Sequence, residues 1–207
     1  MTAQVESAAM PVLDVHGLAK HFPVRKGLLK REIASVKAVD GVSFAIQPGT
    51  TLCIVGESGC GKSTVGRLVM RLIEPTGGTV KLNGEDITAL PADALRHFRK
   101  RVQMVFQDSY ASLNPRLRAG TIVGEPLENF DDMGVAERLE RVAMLFGKVG
   151  LRADAMQKFP FEFSGGQRQR LGIARALALS PSVIVADEPV SALDVSVQAQ
   201  VLNLLMD

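Results

Sequence analysis

The chain has 207 residues, 46% of them apolar, which suits one domain that could carry an inserted subdomain. The 24 Lys and Arg residues nearly balance 22 Asp and Glu residues, and the net charge of +2 argues against nucleic acid as the main partner. Two cysteines, Cys53 and Cys60, are too few for a disulfide framework and indicate a reducing, cytosolic compartment. With no apolar run near ~20 residues and no signal peptide, membrane association would need a partner.

The first part of the chain predicts an antiparallel β layer. Residues 1–11 are small and polar, so we expect a flexible N-terminus and a fold that begins near Val12. Residues 24–31 are strongly basic and are interpreted as a solvated loop, with a segment that faces a membrane or a partner as the alternative. Alternating apolar residues indicate half-buried strands at Leu13 and Val15, at Val42, Phe44 and Ile46, and at Val80 and Leu82 before an Asn83-Gly84 turn.

Three continuous apolar runs predict central strands that are covered on both faces. These runs span residues 52–55, 102–106 and 183–186. Between the second and third runs, residues 135–149 and 167–179 carry helical patterns. A helical insertion is therefore expected between two halves of a parallel-sheet core.

The first of these runs leads directly into a glycine-rich loop. Residues 56–63 fit the pattern G-x-x-x-x-G-K-[ST], and a helical pattern follows. Glycines allow a tight turn in which backbone N–H groups and a helix N-terminus surround a phosphate. We expect Lys62 to reach the β- and γ-phosphates and Ser63 to bind Mg²⁺. The predicted ATP-binding residues of the loop are Gly56, Glu57, Ser58, Gly59, Cys60, Gly61, Lys62, Ser63 and Thr64.

The third apolar run delivers two acidic residues to the end of a predicted central strand. Asp187 and Glu188 follow directly after residues 183–186. Ligands bind at the carboxyl ends of the strands in open α/β sheets. Asp187 is suited to hold the Mg²⁺ shell, and Glu188 is suited to polarise the attacking water as a general base.

Residues 164–170 read Ser-Gly-Gly-Gln-Arg-Gln-Arg, which resembles the signature motif of ABC ATPases. Ser164 can cap a helix whose N-terminus binds an anion together with the glycine N–H groups. In that family the anion is the γ-phosphate held by the opposite subunit. The resemblance therefore implies a head-to-tail dimer with two ATP molecules, each contacted by the signature residues Ser164, Gly165, Gly166 and Gln167.

Three further positions resemble functional positions of the same family. Gln107 matches the glutamine that contacts Mg²⁺ or water, so it joins Lys62 and Glu188 as a catalytic candidate and Ser63 and Asp187 as a Mg²⁺ candidate. Phe22 matches the aromatic residue that stacks on adenine, although a phenylalanine here could equally belong to the core. The D-loop, which crosses the dimer interface in the family, is matched by Ser191, Ala192, Leu193 and Asp194.

The resemblance covers roughly residues 12–207 and implies an α/β fold, a P-loop NTPase core with an antiparallel β layer and an inserted helical subdomain. Family members continue into a further strand and a switch histidine, but all three histidines of this chain precede Glu188. We therefore expect a C-terminally truncated sequence, a fragment or a shortened gene product. The expected divisions are a flexible N-terminus (1–11), the first part of the ABC ATPase core (12–106), the helical subdomain (107–180) and the second part of the core (181–207).

Within the family, residues 36–44, 106–108, 111–116 and 187–200 are most similar to importers of dipeptides, oligopeptides, nickel or glutathione. The resemblance implies an ATPase, peripheral at the cytoplasmic face of the inner membrane. Its implied partners are a second ABC ATPase subunit, transmembrane permease subunits and, indirectly, an extracytoplasmic substrate-binding protein, with no nucleic acid. Two alternatives stay open: a soluble ABC ATPase of translation or DNA repair, and a non-hydrolysing cassette, because the switch histidine is missing.

Overall fold

The computed structural model describes residues 10–26, 31–108, 111–191 and 193–206. The chain divides into two compact units, Met1–Arg96 and His97–Asp207. The division expected between residues 106 and 107 stays a prediction, as do the other predicted boundaries. Among the described residues, no helix is both long enough and apolar enough to cross a membrane.

An antiparallel sheet dominates the first unit, as the sequence predicts. Its strands lie in the order β2-β1-β3-β4, and the apolar residues that alternate along β1 and β3 are buried. Asn83 and Gly84 join β3 to β4 with positive φ angles of 49° and 80°, as a tight hairpin turn requires. The four strands are β1 (Leu13–Lys26), β2 (Arg31–Ile46), β3 (Gly77–Leu82) and β4 (Glu85–Asp86).

The hairpin of β1 and β2 extends further than the sequence predicts. Its pairing reaches Lys26 and Arg31, so part of the predicted basic loop is strand, and residues 27–30 lie outside the described residues. Cross-strand pairing supplies the backbone hydrogen bonds there, and a basic composition is compatible with exposed strands as well as with loops. Polarity alone therefore did not locate the end of the strand.

Helix α1 (Lys62–Val69) lies between β2 and β3 in the sequence, and helix α2 (Ala92–Arg101) follows β4. Helix α1 buries Val65, Leu68 and Val69, which confirms the helical pattern predicted after the glycine-rich loop. The buried guanidinium of Arg71 lies beyond the end of α1 and donates to the carbonyl oxygen of Ile87 at 2.8 Å. This bond ties the chain after α1 to the end of the sheet.

The predicted strand at residues 52–55 is wrong for this structure. The segment forms no strand, and Leu52, Ile54 and Val55 are 44%, 43% and 86% exposed. A central strand needs hydrogen-bonded neighbours and cover on both faces. No strand of the described residues pairs with this segment, so its apolar composition does not produce burial.

The second unit contains the two other predicted central strands and the helical insertion. Strands β5 and β6 are parallel and pair in register from Val102 with Val183 to Val105 with Ala186. Helices α3, α4 and α5 pack around a core that includes Phe146 and Leu171, both fully buried. The elements are β5 (Val102–Val105), α3 (Ala119–Phe130), α4 (Val135–Lys148), two 3₁₀ segments (Ala153–Gln157 and Pro160–Glu162), α5 (Gly165–Leu177), β6 (Val183–Ala186) and α6 (Val195–Met206).

The apolar stripe of α4 is buried over only part of its length. Val142 and Phe146 are buried, as the periodicity predicts, whereas Val135 and Leu139 are more than half exposed. The reason is that no element of the described residues covers the N-terminal half of this stripe. Periodicity predicts which face of a helix is apolar, but not how far the covering elements extend along it.

Candidate functional site

The glycine-rich loop ends where α1 begins, at Lys62. The Lys62 ammonium donates to the backbone carbonyl oxygens of Gly56 at 2.9 Å and Glu57 at 2.8 Å. The Cys60 amide donates to the Glu57 oxygen at 3.3 Å and closes the turn. A positive charge and the N-terminus of α1 therefore lie on one short loop, an arrangement suited to an anionic ligand.

Two glycines of this loop lie in close contact with neighbouring atoms, Gly61 with a backbone oxygen and Gly56 with the end of a side chain. Gly61 has φ of 100°, and a Cβ atom there would lie 2.2 Å from the carbonyl oxygen of Ala38 on β2. A Cβ atom on Gly56 would lie 2.6 Å from the Cys60 sulfur. Cys53 and Cys60 are free and exposed, in agreement with the predicted absence of a disulfide framework.

The side chain of Phe22 lies on the β1–β2 hairpin of the same unit. It is 40% exposed, which does not support the alternative that it belongs to the core. The Lys20 ammonium lies 5.1 Å from the centre of the Phe22 ring and also donates to the Glu74 carbonyl oxygen at 2.6 Å. One face of the ring is thus covered by a cation that is itself held in place.

In the second unit, polar residues meet at the carboxyl ends of β5 and β6. The Asp187 amide donates to the Val105 carbonyl oxygen at 2.9 Å, which continues the ladder past the last residue of β6. The Gln107 side-chain amide donates to a Glu188 carboxylate oxygen at 2.7 Å. The fold therefore brings together Gln107 and Glu188, which are 81 residues apart in the sequence.

Glu188 has an unusual backbone conformation, with φ of 45°. Such a conformation costs roughly 1–3 kcal/mol for a residue other than glycine and occurs preferentially at functional sites. The amide and the hydroxyl of Ser191 both donate to the Glu188 carbonyl oxygen, at 3.2 and 3.1 Å, and hold this turn. Sequence reasoning missed the strain, because no residue type at this position signals a left-handed backbone.

Ser164 caps α5, as the sequence predicts. Its hydroxyl oxygen accepts from the Gln167 amide at 3.3 Å, and the Gln167 side-chain oxygen accepts from the Ser164 amide at 3.0 Å. A Cβ atom on Gly165 would meet no described atom within 4 Å, whereas one on Gly166 would lie 2.7 Å from a Val197 methyl carbon. The first turn of α5 is therefore open at Gly165 and packed against α6 at Gly166.

The predicted D-loop precedes α6, and Ala192 within it lies outside the described residues. The Leu193 amide donates to the Val190 carbonyl oxygen at 3.1 Å. The Gln198 side-chain amide donates to the carbonyl oxygens of Val190 at 3.2 Å and Leu193 at 3.0 Å. Sequence reasoning missed Gln198, whose only signal was an amide side chain in the first turn of the following helix.

The described residues contain no group of three or more His, Cys, Asp or Glu side chains placed to bind a metal ion. The predicted Mg²⁺ site stays a prediction, because Mg²⁺ at nucleotide sites usually takes only one or two carboxylates and completes its shell with phosphates and water. The predicted Mg²⁺ candidates fall in both units, with Ser63 in the first and Gln107 and Asp187 in the second.

Comparison with known families assigns this set of motifs. The family model described as ABC transporter matches residues 39–191, which include the glycine-rich loop, Gln107, Ser164 and Glu188. The chain belongs to the ABC transporter family. The match covers more than half of the chain and confirms the resemblance inferred from the motifs.

Curated relatives are similar along nearly the whole chain. The probable peptide ABC transporter ATP-binding protein y4tS of Sinorhizobium fredii is 59% identical over 95% of this chain and 56% of its own length. The oligopeptide transport ATP-binding protein AppF of Bacillus subtilis is 54% identical over 94% of this chain and 59% of its own. The dipeptide transport ATP-binding protein DppF of Haemophilus influenzae is 52% identical over 100% of this chain and 63% of its own length. The chain thus spans less than two thirds of the length of these relatives.

Solved structures confirm the predicted fold class, an α/β P-loop NTPase core with an antiparallel β layer and an inserted helical subdomain. A dimeric post-hydrolysis state of the ATP-binding cassette MJ0796, bound to ADP and Pi, matches with a TM-score of 0.81 and 31% identity. The match covers 93% of this chain and 81% of that chain. A second dimeric structure of MJ0796, described as a bacterial ABC transporter cassette, matches with a TM-score of 0.82.

Proposed function

We propose that the chain binds and hydrolyses ATP as a subunit of an ABC importer that takes up dipeptides or oligopeptides. The observation that carries the proposal is the hydrogen bond between Gln107 and Glu188 at the carboxyl ends of two parallel strands. It joins two of the three proposed catalytic residues in a chain that also has the phosphate loop. The names of the relatives support peptides as the cargo. Glutathione, which the name of one further relative prints, and nickel are the alternative cargoes that the resemblance implies.

The nucleotide binds first through its phosphates. The Lys62 ammonium exchanges its two loop carbonyl oxygens for phosphate oxygens, and the backbone N–H groups of residues 56–64 complete the cradle. Phe22 offers adenine the face of its ring that Lys20 does not cover. Anion binding by Lys62 requires no change of fold, because its ammonium already lies at the loop.

Ser63, Gln107 and Asp187 would hold Mg²⁺, which neutralises charge on the phosphates during transfer. Glu188 accepts a proton from the attacking water at a carboxylate oxygen. The Gln107 amide nitrogen holds the other oxygen of that carboxylate, so its direction is fixed before the water arrives. The Gln107 amide oxygen would then be the atom that binds Mg²⁺ or a water molecule of its shell.

A second ABC ATPase subunit completes the site. Gly165 is open in the described structure, so phosphate oxygens of ATP held by that subunit can approach the first turn of α5. Ser164, Gly166 and Gln167 support this turn, and α6, the helix that follows the D-loop, packs against it at Val197. The dimeric state of the solved cassettes supports this assembly.

A role as an importer subunit also predicts the partners and the location of the chain. The subunit would sit at the cytoplasmic face of the inner membrane, docked on transmembrane permease subunits that receive cargo from a substrate-binding protein. The relatives are named as transport proteins, and no described feature favours a soluble ATPase of translation or DNA repair. Intact Lys62 and Glu188 argue against a non-hydrolysing cassette.

The Lys62→Ala variant tests nucleotide binding. Loss of a directed charge contact costs ~2–4 kcal/mol, or roughly 30- to 1,000-fold in affinity, so MgATP binding measured by calorimetry should fall by that factor. Lys81→Ala, at an exposed lysine of β3, is the matched control and should bind as the unaltered protein does. Unchanged affinity in folded Lys62→Ala protein would overturn the proposal.

Crosslinking tests the permease partner. In a variant whose Cys53 and Cys60 are replaced by serine, a new cysteine at Ser112 should crosslink to a cytoplasmic loop of the permease in membranes. Ser112 lies in the segment after Gln107 where family members dock their permease. A cysteine at Ser182, an exposed residue before β6, serves as the control. Crosslinks from Ser112 only to ribosomal or DNA-bound proteins would refute the importer assignment.

A further inference from the structure

We propose that Asp40 is a positioning residue for the nucleotide: by holding His21 and Lys37 across a β-bulge, it fixes the distance between the Phe22 ring and the phosphate loop. This inference rests on the proposed function. It concerns described residues of the first unit only, and the sequence analysis gave Asp40 no role of its own, although residues 36–44 match the importer subgroup.

The bulge is visible in the pairing of β1 with β2. Lys20 pairs with Val39, but the next residue of β1, His21, pairs with Lys37. Ala38 is therefore an extra residue on β2, which is the definition of a bulge. Bulges bend a strand and redirect the groups of the extra residue, and they are frequent beside functional sites.

The redirected group is the carbonyl of Ala38, which faces the phosphate loop. A Cβ atom on Gly61 would lie only 2.2 Å from the Ala38 oxygen and 3.7 Å from a methyl carbon of Val39. Gly61 is the last loop residue before α1, and Val39 is buried in the core of the unit. The bulge is thus in direct contact with the part of the loop that would hold the phosphates.

Asp40 binds residues on both sides of this bulge. One carboxylate oxygen lies 2.8 Å from the His21 Nε2 atom on β1, and the other accepts from the Lys37 ammonium at 3.0 Å on β2. Hydrogen bonds from Lys37 and then His21 hold the pKa of Asp40 below its ordinary value. The three side chains form a clasp whose two ends lie on opposite strands.

The clasp is solvent-exposed, so we expect it to influence local geometry more than the global stability of the fold. Exposed ion pairs contribute little to global stability, because water and salt screen them. They can still select one local geometry among several of similar energy. In this case the selected geometry is the register at His21, and the next pair in that register is Phe22 with Val36.

The clasp and the bulge form a short structural connection between the residue that would contact the base and the loop that would hold the phosphates. Phe22 would contact the base, and Gly61 lies beside the phosphates, while the clasp and the bulge connect them through Ala38 and Lys37. A ligand with both a base and phosphates depends on the distance between these ends. A ligand with phosphates alone contacts only the loop and does not depend on that distance.

The experiment therefore compares two probes, MgATP and magnesium tripolyphosphate, by calorimetry on the protein and its Asp40→Ala variant. We expect about a three- to tenfold weaker affinity for MgATP, the loss typical of an exposed charge-assisted pair, and an unchanged affinity for tripolyphosphate. The KM for ATP should rise by the same factor at unchanged kcat. Asp40→Asn, which keeps one acceptor, should lie between the two.

Asp86→Asn is the matched control, because Asp86 is also an aspartate of this sheet that accepts hydrogen bonds, from Thr88 beside β4. It should leave both affinities unchanged. Equal weakening of both probes by Asp40→Ala, or no weakening of either, would overturn the inference. If Lys62→Ala abolishes binding while Asp40→Ala has no effect, only this inference fails and the proposed function stands.

Discussion

Replacement of Gly61 by alanine is expected to force β2 and the phosphate loop apart. The new Cβ atom would stand 2.2 Å from the Ala38 carbonyl oxygen, whereas real Cβ atoms essentially never come closer than 3.0 Å. The backbone must therefore give way by at least the difference, about 0.8 Å. Neither side of this contact is a flexible side-chain end, so the displacement cannot be absorbed by a rotamer change.

Two costs add in this variant. A left-handed backbone at a residue with a Cβ atom costs roughly 1–2 kcal/mol, and Gly61 has φ of 100°. Overpacking against the backbone adds roughly 1–3 kcal/mol. We expect Gly61→Ala to lower the free energy of unfolding by about 2–5 kcal/mol, the sum of these two costs.

Gly59→Ala isolates the first cost, because Gly59 has φ of 83° and no described atom lies within 4 Å of the position that its new Cβ atom would take. Equilibrium urea unfolding of both variants gives the comparison, with the midpoint changing and the slope staying constant. Gly61→Ala should be the less stable by about 1–3 kcal/mol. Equal destabilisation of the two variants would show that the contact with Ala38 does not matter.

Three further outcomes follow from the hydrogen bonds and the backbone. Glu188→Gln should slow ATP hydrolysis by about 10²–10⁴-fold in a phosphate-release assay and leave MgATP binding intact. Turnover equal to that of the unaltered protein would exclude Glu188 as the base. Ser164→Ala should cost about 1 kcal/mol in thermal unfolding through loss of the cap, whereas an unchanged midpoint would contradict that role. Hydrogen bonds from Thr88 lower the pKa of Asp86 below 3.8, so its stabilising effect is present above that pH and is lost as the pH falls. The difference in unfolding free energy between the unaltered protein and Asp86→Asn should therefore shrink as the pH falls. A difference that does not change with pH would refute this role of Asp86.

Sequence patterns predicted the elements whose partners are specified locally or by alternation. The alternating strands around Val15 and Val80 and the capped helix after Ser164 formed as expected. In each case the pattern states which face is buried or which side chain satisfies the first backbone amides. The runs at 102–106 and 183–186 form parallel strands, but β5 ends at Val105, and Phe106 and Ala186 are exposed rather than covered.

Other features depended on contacts that a linear pattern does not contain. The run at 52–55 was apolar enough for a central strand, yet no described strand pairs with it. The left-handed backbone of Glu188 and the bulge at Ala38 arise from tertiary contacts and pairing register rather than from residue preference. The family resemblance assigned Gln107 and Glu188 to the site, but it did not predict the hydrogen bond between them.

The contact between Gly166 and Val197 limits how this sequence can vary. A Cβ atom at position 166 would lie 2.7 Å from Val197, so the two positions share one small volume. A larger residue at position 166 therefore forces the Val197 side chain to move or favours a smaller residue there. A protein engineer who alters the start of α5 must therefore redesign the start of α6 with it, and a Gly166→Ala change should be tolerated best beside Val197→Ala.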